Sequence, residues 1–240
     1  MGNMDKDSTG EGTAEGRGAG LRILFLDPQP FFQCRGSPIR VAADVRALAA
    51  AGHRVDLLAM PVGEAVDLPP GVRLLRVPNL FGIRSMAIGP SAAKAVYDVI
   101  LFFHALALVA RNRYDVIHSV EEAGALGVVL ARLRGARTVF EKHSDPDSHK
   151  GRGLRNLVLR LYRAVERFAI RRSDAVILTG PGMLDEVRRL APRTSVHAIC
   201  DIPSSNVEAD EAGAARVRGD IAPDAGDIVA TYIGSFAVYQ

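Results

Sequence analysis

The chain has 240 residues, 48% hydrophobic and 24% charged, the makeup of a globular protein long enough to bury one full core and part of another. Its net charge of +3 is carried far more by arginine than by lysine and is too mild to point to nucleic acid, so no nucleic-acid partner is expected. Cys34 and Cys200 stand far apart with no metal-binding or redox spacing, which suggests neither a zinc site nor a disulfide framework and fits a reducing, cytoplasmic setting.

Residues Met1 to Gly20 are Gly-rich and polar without an apolar core, so the reading is a disordered tail and not a signal peptide. Leu21 to Leu26 (LRILFL) is an unbroken apolar run, the pattern of a strand buried on both faces of a parallel sheet. After the loop Asp27 to Gly36, Ser37 is placed to cap a helix with Pro38 at its first position. Val41, Val45, Leu48 and Ala49 continue that helix to a stop at Gly52.

The alternation repeats. Arg54 to Ala59 and Val72 to Val77 read as strands, and Ser91 to Arg111 as a long helix. Its apolar stretch, Val96 to Ala110, is shorter than the roughly 20 residues that cross a bilayer and reads as a buried helix. Val116 to Val120 resumes the sheet, a helix from Ala123 to Leu133 stops at Gly135, and Arg137 to Glu141 gives the next strand. Beyond the loop His143 to Gly153 lie a basic helix, Leu154 to Arg171, a strand Ala175 to Thr179, a short helix Pro181 to Leu190 and a strand Thr194 to Ile199. Strands and helices alternating at this length predict an α/β fold, a doubly wound parallel sheet of Rossmann-like type.

Pro203 to Asp227 is poor in large apolar residues and reads as a linker with a short helix near Glu211 to Arg218. Ile228 to Ile233 (IVATYI) reads as a new buried strand ending in Gly234-Ser235. The organisation expected is a tail over 1–20, one domain over 21–203, a linker over 204–226 and the first strand of a second domain over 227–240.

Several separated segments, LRILFL, the loop ending in Gly36-Ser37-Pro38, LAAAGHRVDLL, YDVIHSV, TVFEKHSD and RSDAVILTGPGM, resemble in order and spacing the N-terminal domain of family 4 glycosyltransferases of the GT-B fold. YIGSF resembles the opening of that family's donor domain. The resemblance implies a hexosyltransferase acting with retention, carrying sugar from a nucleotide-sugar donor to a glycan or lipid-linked acceptor. No obligatory metal or other cofactor is implied. The setting implied is cell-envelope polysaccharide or glycolipid synthesis, in the cytoplasm or at the inner face of the membrane. The glutamate pair, Arg and Lys of the family's donor domain have no counterparts here, and Ser235 stands where a basic residue is common; the chain alone is therefore expected to be inactive.

The resemblance places Gly36 and Ser37 beside the donor diphosphate, and free amides at a helix start suit an anion; a plain turn and cap is the other reading. His143, directly after TVFEK, matches the family histidine that faces the donor sugar, with a positioning role. His118, Glu121 and Glu122 follow the preceding strand toward the same rim as candidates for acceptor hydroxyls. Asp145-Pro-Asp147 offers an alternative, a divalent-cation site of a GT-A-like enzyme. A non-catalytic domain that binds acceptor or membrane is a third reading. Arg160, Arg163, Arg167 and Arg171 recur at spacings of three and four, a basic stripe for an anionic acceptor or membrane, or simply a solvated face. Phe31 and Phe32 are candidates for lipid or sugar contact, with ordinary packing of the first loop as the other reading.

Overall fold

The computed structural model describes residues 20–32, 36–86, 91–143, 154–201, 210–222, 224, 226 and 228–230, with residues 92 and 154–158 described in backbone only. Its elements run β1 Arg22–Asp27, α1 Gly36–Ala50, β2 Arg54–Ala59, β3 Val72–Arg76, α2 Ala92–Arg111, β4 Val116–Val120 and α3 Gly124–Arg134. They continue with β5 Arg137–Lys142, α4 Leu154–Arg172, β6 Ala175–Leu178, α5 Leu184–Leu190, β7 Ser195–Ala198 and α6 Glu211–Ile221. Single 3-10 turns, Glu121–Ala123 and Pro181–Met183, lead into α3 and α5.

The seven strands form one sheet in the order β3-β2-β1-β4-β5-β6-β7, and every neighbouring pair is parallel. β1 is central. Alternate residues serve two cores: Ile23 and Phe25 pack with Val41 and Val45 of α1, while Leu24 and Leu26 pack with Tyr97 and Leu101 of α2. With both faces covered the strand has no polar side to show, which is why its sequence is uniformly apolar. Phe140, Val176 and Leu178 form a third cluster with Ala169 and Ile170 of α4 and Val187 of α5.

Local signals set several boundaries. The Ser91 hydroxyl accepts from the Lys94 amide at 3.1 Å and caps α2. Gly135 ends α3 at φ 70°, a left-handed cap that glycine adopts without a Cβ clash. The helix at Pro38 starts earlier than expected. Gly36 is its first residue and Ser37 its second, so Ser37 is not the cap; proline's fixed φ suits any position of a first turn. α6 forms within the expected linker and runs on to Ile221. No strand is formed over residues 228–230, and the rest of the strand expected there lies outside the described residues.

α2 departs from the reading of a buried helix. Tyr97, Leu101, Ala105 and Val109 are buried, whereas Val96, Val99 and Phe103 are exposed. A helix on one face of a sheet buries only one stripe, and here the opposite stripe is apolar too. The 19 residues Ala93–Arg111 are long and apolar enough to cross a membrane, contrary to the shorter stretch counted in the sequence, but the buried stripe belongs to the core.

α3 lies close on the sheet. A Cβ on Gly124 would come within 2.5 Å of the Phe140 ring, which is fully buried, whereas a Cβ on Gly36 would meet nothing within 4 Å. Gly124→Ala is expected to destabilise the fold by about 1–3 kcal/mol through overpacking. Gly36→Ala is expected to change it by less than about 0.5 kcal/mol. Urea unfolding of the two variants checks this; equal effects would contradict the packing described.

Candidate functional site

The chain runs outward from β1 to β2 and β3, then returns past β1 to β4, so the direction of winding reverses between β1 and β4. The carboxyl ends of strands at such a reversal border the crevice where ligands of open α/β sheets bind. At this edge stand Asp27, the Glu121–Ala123 turn, His143 and the first turn of α1.

Beneath the rim lies Glu141, with none of its surface exposed. The register sets His118 beside Val139, one pleat from Glu141, and His118 Nε2 donates to Glu141 Oε2 at 2.8 Å while its ring stacks on Phe25 at 4.1 Å. His143 Nε2 donates to Glu141 Oε1 at 3.0 Å. Arg40, from the second turn of α1, gives its Nε to the same oxygen and spans with Nη1 to Ile199 O at 2.9 Å and Asp201 Oδ1 at 2.8 Å. Burial alone would raise the Glu141 carboxyl, but the hydrogen bonds from the two histidines win and hold it far below the usual carboxylate range.

Burial alone would lower His143 as well, and the bond to Glu141 raises it above the ordinary histidine value. The pair therefore stabilises the fold above the carboxylate range, and this contribution is lost as pH rises through the raised His143 value. Asp44, one turn along α1, lies 3.9 Å from Arg40 Nε; burial and the Glu141 charge hold its carboxyl up to about 7.

The His143 amide donates to Glu121 Oε1 at 2.6 Å, and Tyr162 of α4 donates to Glu121 Oε2 at 3.1 Å. Glu121 has φ 50°, a left-handed conformation costing a non-glycine residue about 1–2 kcal/mol, and these two bonds hold it there. Its carboxylate braces the rim. Glu122 is half-buried and ion-paired with Lys94, which also holds Asp98 at 2.9 Å. His118 lies beneath the rim on Glu141, its side chain as buried as that of His143, 8% against 7% exposed.

Gly36 is exposed at the start of α1, where the amides of Gly36, Ser37 and Ile39 fall in the first turn and Pro38 has none. Phe31 is fully buried and packs edge-on against Phe32, so it serves the core. Arg160, Arg167 and Arg171 are exposed on α4. Arg163 is turned partly inward with Nε buried, so the four do not share one solvent face. Glu166 points inward to Lys142 Nζ at 2.5 Å. Asp145, Asp147, Gly234 and Ser235 lie outside the described residues.

Residues 35–200 match the glycosyl transferase 4-like domain family, more than half of the chain, and the chain belongs to that family. Among solved structures it is similar to sucrose-phosphate synthase from Thermosynechococcus elongatus, at 19% identity and TM-score 0.57, covering 75% of this chain and 48% of that one. It is also similar to Arabidopsis thaliana UGT89C1 complexed with UDP, at 13% identity and TM-score 0.56, covering 85% and 55%. A UDP-glucosyltransferase from Polygonum tinctorium shares 11% identity at TM-score 0.57, covering 81% and 56%. These likenesses show the fold, the Rossmann-like domain of GT-B glycosyltransferases, and the chain spans about half the length of each. No curated protein matches the sequence.

No motif or spacing in the sequence marks Arg40, Asp44, Glu141 or Asp27. The available signal was charge in otherwise apolar elements, since a buried charge must be paired or neutral. Asp27 is the extreme case. It ends β1 with no exposed surface, and neither carboxylate oxygen has a hydrogen-bond partner among the described residues. Burial pushes its carboxyl up to about 8, with His143 pulling against that and Glu122 adding to it.

A carboxyl raised in the folded state binds its proton there and not in the unfolded chain between about pH 4 and pH 8, so stability falls across that window as pH rises. Asp27→Asn removes this slope. The melting temperature of the variant relative to the parent is expected to climb from pH 5 to pH 8; a difference constant with pH would show that Asp27 ionises normally.

Proposed function

We propose that this chain forms the acceptor side of a retaining glycosyltransferase that moves a hexose from a nucleotide-sugar donor to a glycan or lipid acceptor. The observation that carries the reading is His143, seated at the carboxyl end of β5 by its bond to the buried Glu141, which raises it above the ordinary histidine value and so favours the imidazolium. An imidazolium has no lone pair with which to take a proton. It is suited to donate a hydrogen bond and to stabilise negative charge on the donor as the glycosidic bond to phosphate lengthens.

The acceptor proton then passes to the departing phosphate, on the face from which that phosphate leaves, which gives retention. Open space at Gly36 and the first-turn amides of α1 support approach of the diphosphate from this side. The nucleotide itself is assigned to a second domain, since the matched transferases are about twice as long as the aligned region. UGT89C1, solved with UDP and with UDP-L-rhamnose, makes a nucleoside-diphosphate sugar the first donor class to try. Glu122, at the rim beside Lys94, is proposed to meet acceptor hydroxyls.

With a donor-binding domain joined to the chain, transfer from radiolabelled nucleotide sugars is expected to fall on the order of 100-fold in kcat for His143→Ala. Gly36→Val is expected to raise the donor KM without loss of stability. Unimpaired turnover in both variants would refute the assignment.

A further inference from the structure

α2, α3 and α4 lie side by side over one face of the sheet. Their outward surface combines two features that rarely coincide on a solvated layer. Large apolar side chains stand in the open on all three helices: Phe103 is 61% exposed on α2, Leu133 62% on α3 and Leu161 66% on α4. Among them are the exposed Arg132, Arg134, Arg160, Arg167, Arg171 and Arg172. The three helices contain only two acidic residues, Asp98 and Glu166, and each is already paired with a lysine. At the edge where the candidate site opens, Leu80 and Phe81 follow β3, both 66% exposed, with Phe81 edge-on to Tyr97 of α2.

We propose that this outer face is seated on the surface of an anionic lipid bilayer. Aliphatic and aromatic side chains enter the boundary between headgroups and acyl chains, and the arginine stems lie along that apolar surface while their guanidinium groups reach lipid phosphates. Spanning is not available to α2, because Tyr97, Leu101, Ala105 and Val109 are committed to the core. A second copy is a poor occupant as well. A two-fold interface would set this face against itself, arginines against arginines, with no free carboxylate to separate them. The proposal goes beyond the transferase reading and does not depend on it, since binding needs neither donor nor turnover.

The test is flotation of the full chain with phosphatidylcholine vesicles, with or without an equal amount of phosphatidylglycerol. Binding is expected to the anionic vesicles only, and to be lost in about 1 M salt, where screening acts within about 3 Å. Arg167→Gln with Arg171→Gln is expected to weaken partitioning on the order of twenty-fold, about five-fold for each charge. Phe103→Ser is expected to weaken it further, and Arg46→Gln on α1 to leave it unchanged. Circular dichroism melts verify that these exposed positions leave the fold intact, with Arg160→Gln and Arg172→Gln as a second pair. Equal binding to both vesicle types, no binding, or no effect of either arginine pair overturns the proposal. So does a dimer, seen by sedimentation, that dissociates in Phe103→Ser.

Discussion

An ionised carboxylate that no water reaches must have partners on every side, and Glu141 imposes that requirement on four parts of the chain at once. It comes from β5, His118 answers it from β4, Arg40 from α1, and Arg40 carries the connection on to the segment after β7 through Ile199 and Asp201. His143 closes the set two residues along. The first turn of α1 and the rim histidine, the two parts assigned to donor contact, are thus placed relative to each other by one buried group. Taking its charge away would leave the Arg40 guanidinium without its main partner.

A comparison of two buried aspartates shows why burial alone does not mark a site. Asp56, on β2, accepts two hydrogen bonds from Arg73 at 2.9 Å and one from the Tyr114 hydroxyl at 2.7 Å. Burial works against its charge, but these donors hold its carboxyl below the usual range, and it fastens the sheet. Asp27, on the neighbouring central strand, has burial without a side-chain donor, and burial pushes its carboxyl up to about 8. The first arrangement is complete; the second is poised at the carboxyl edge where the winding of the sheet reverses.

Much of this architecture is legible in the residues. The uninterrupted run from Leu21 to Leu26, the Gly52 and Gly135 stops and the strand Val116 to Val120 follow from burial on two faces and from backbone rules, and the structure places them within a residue or two. What is not legible is which distant residues meet. His118 sits in the short strand VIHSV and reads as a rim residue; only the pairing of β4 with β5 brings it to Glu141. Glu121 reads as an acceptor ligand, and neither its left-handed backbone nor its bonds to His143 and Tyr162 can be foreseen from the residues around it. α2 is apolar almost all round, so its sequence alone cannot tell which stripe meets the sheet and which faces outward.

The claim on which the site rests is that Glu141 keeps His143 charged at the edge of the sheet. Nitrogen-detected NMR of the His143 ring tests it directly, by following both ring nitrogens through a pH titration of the intact chain. The account predicts an imidazolium whose titration lies above the ordinary histidine value of 6.5, and a clear downward move in Glu141→Gln, where only the Glu121 charge is left to oppose burial. A ring that titrates at or below 6.5 in the parent chain, or one that Glu141→Gln leaves unmoved, would contradict it.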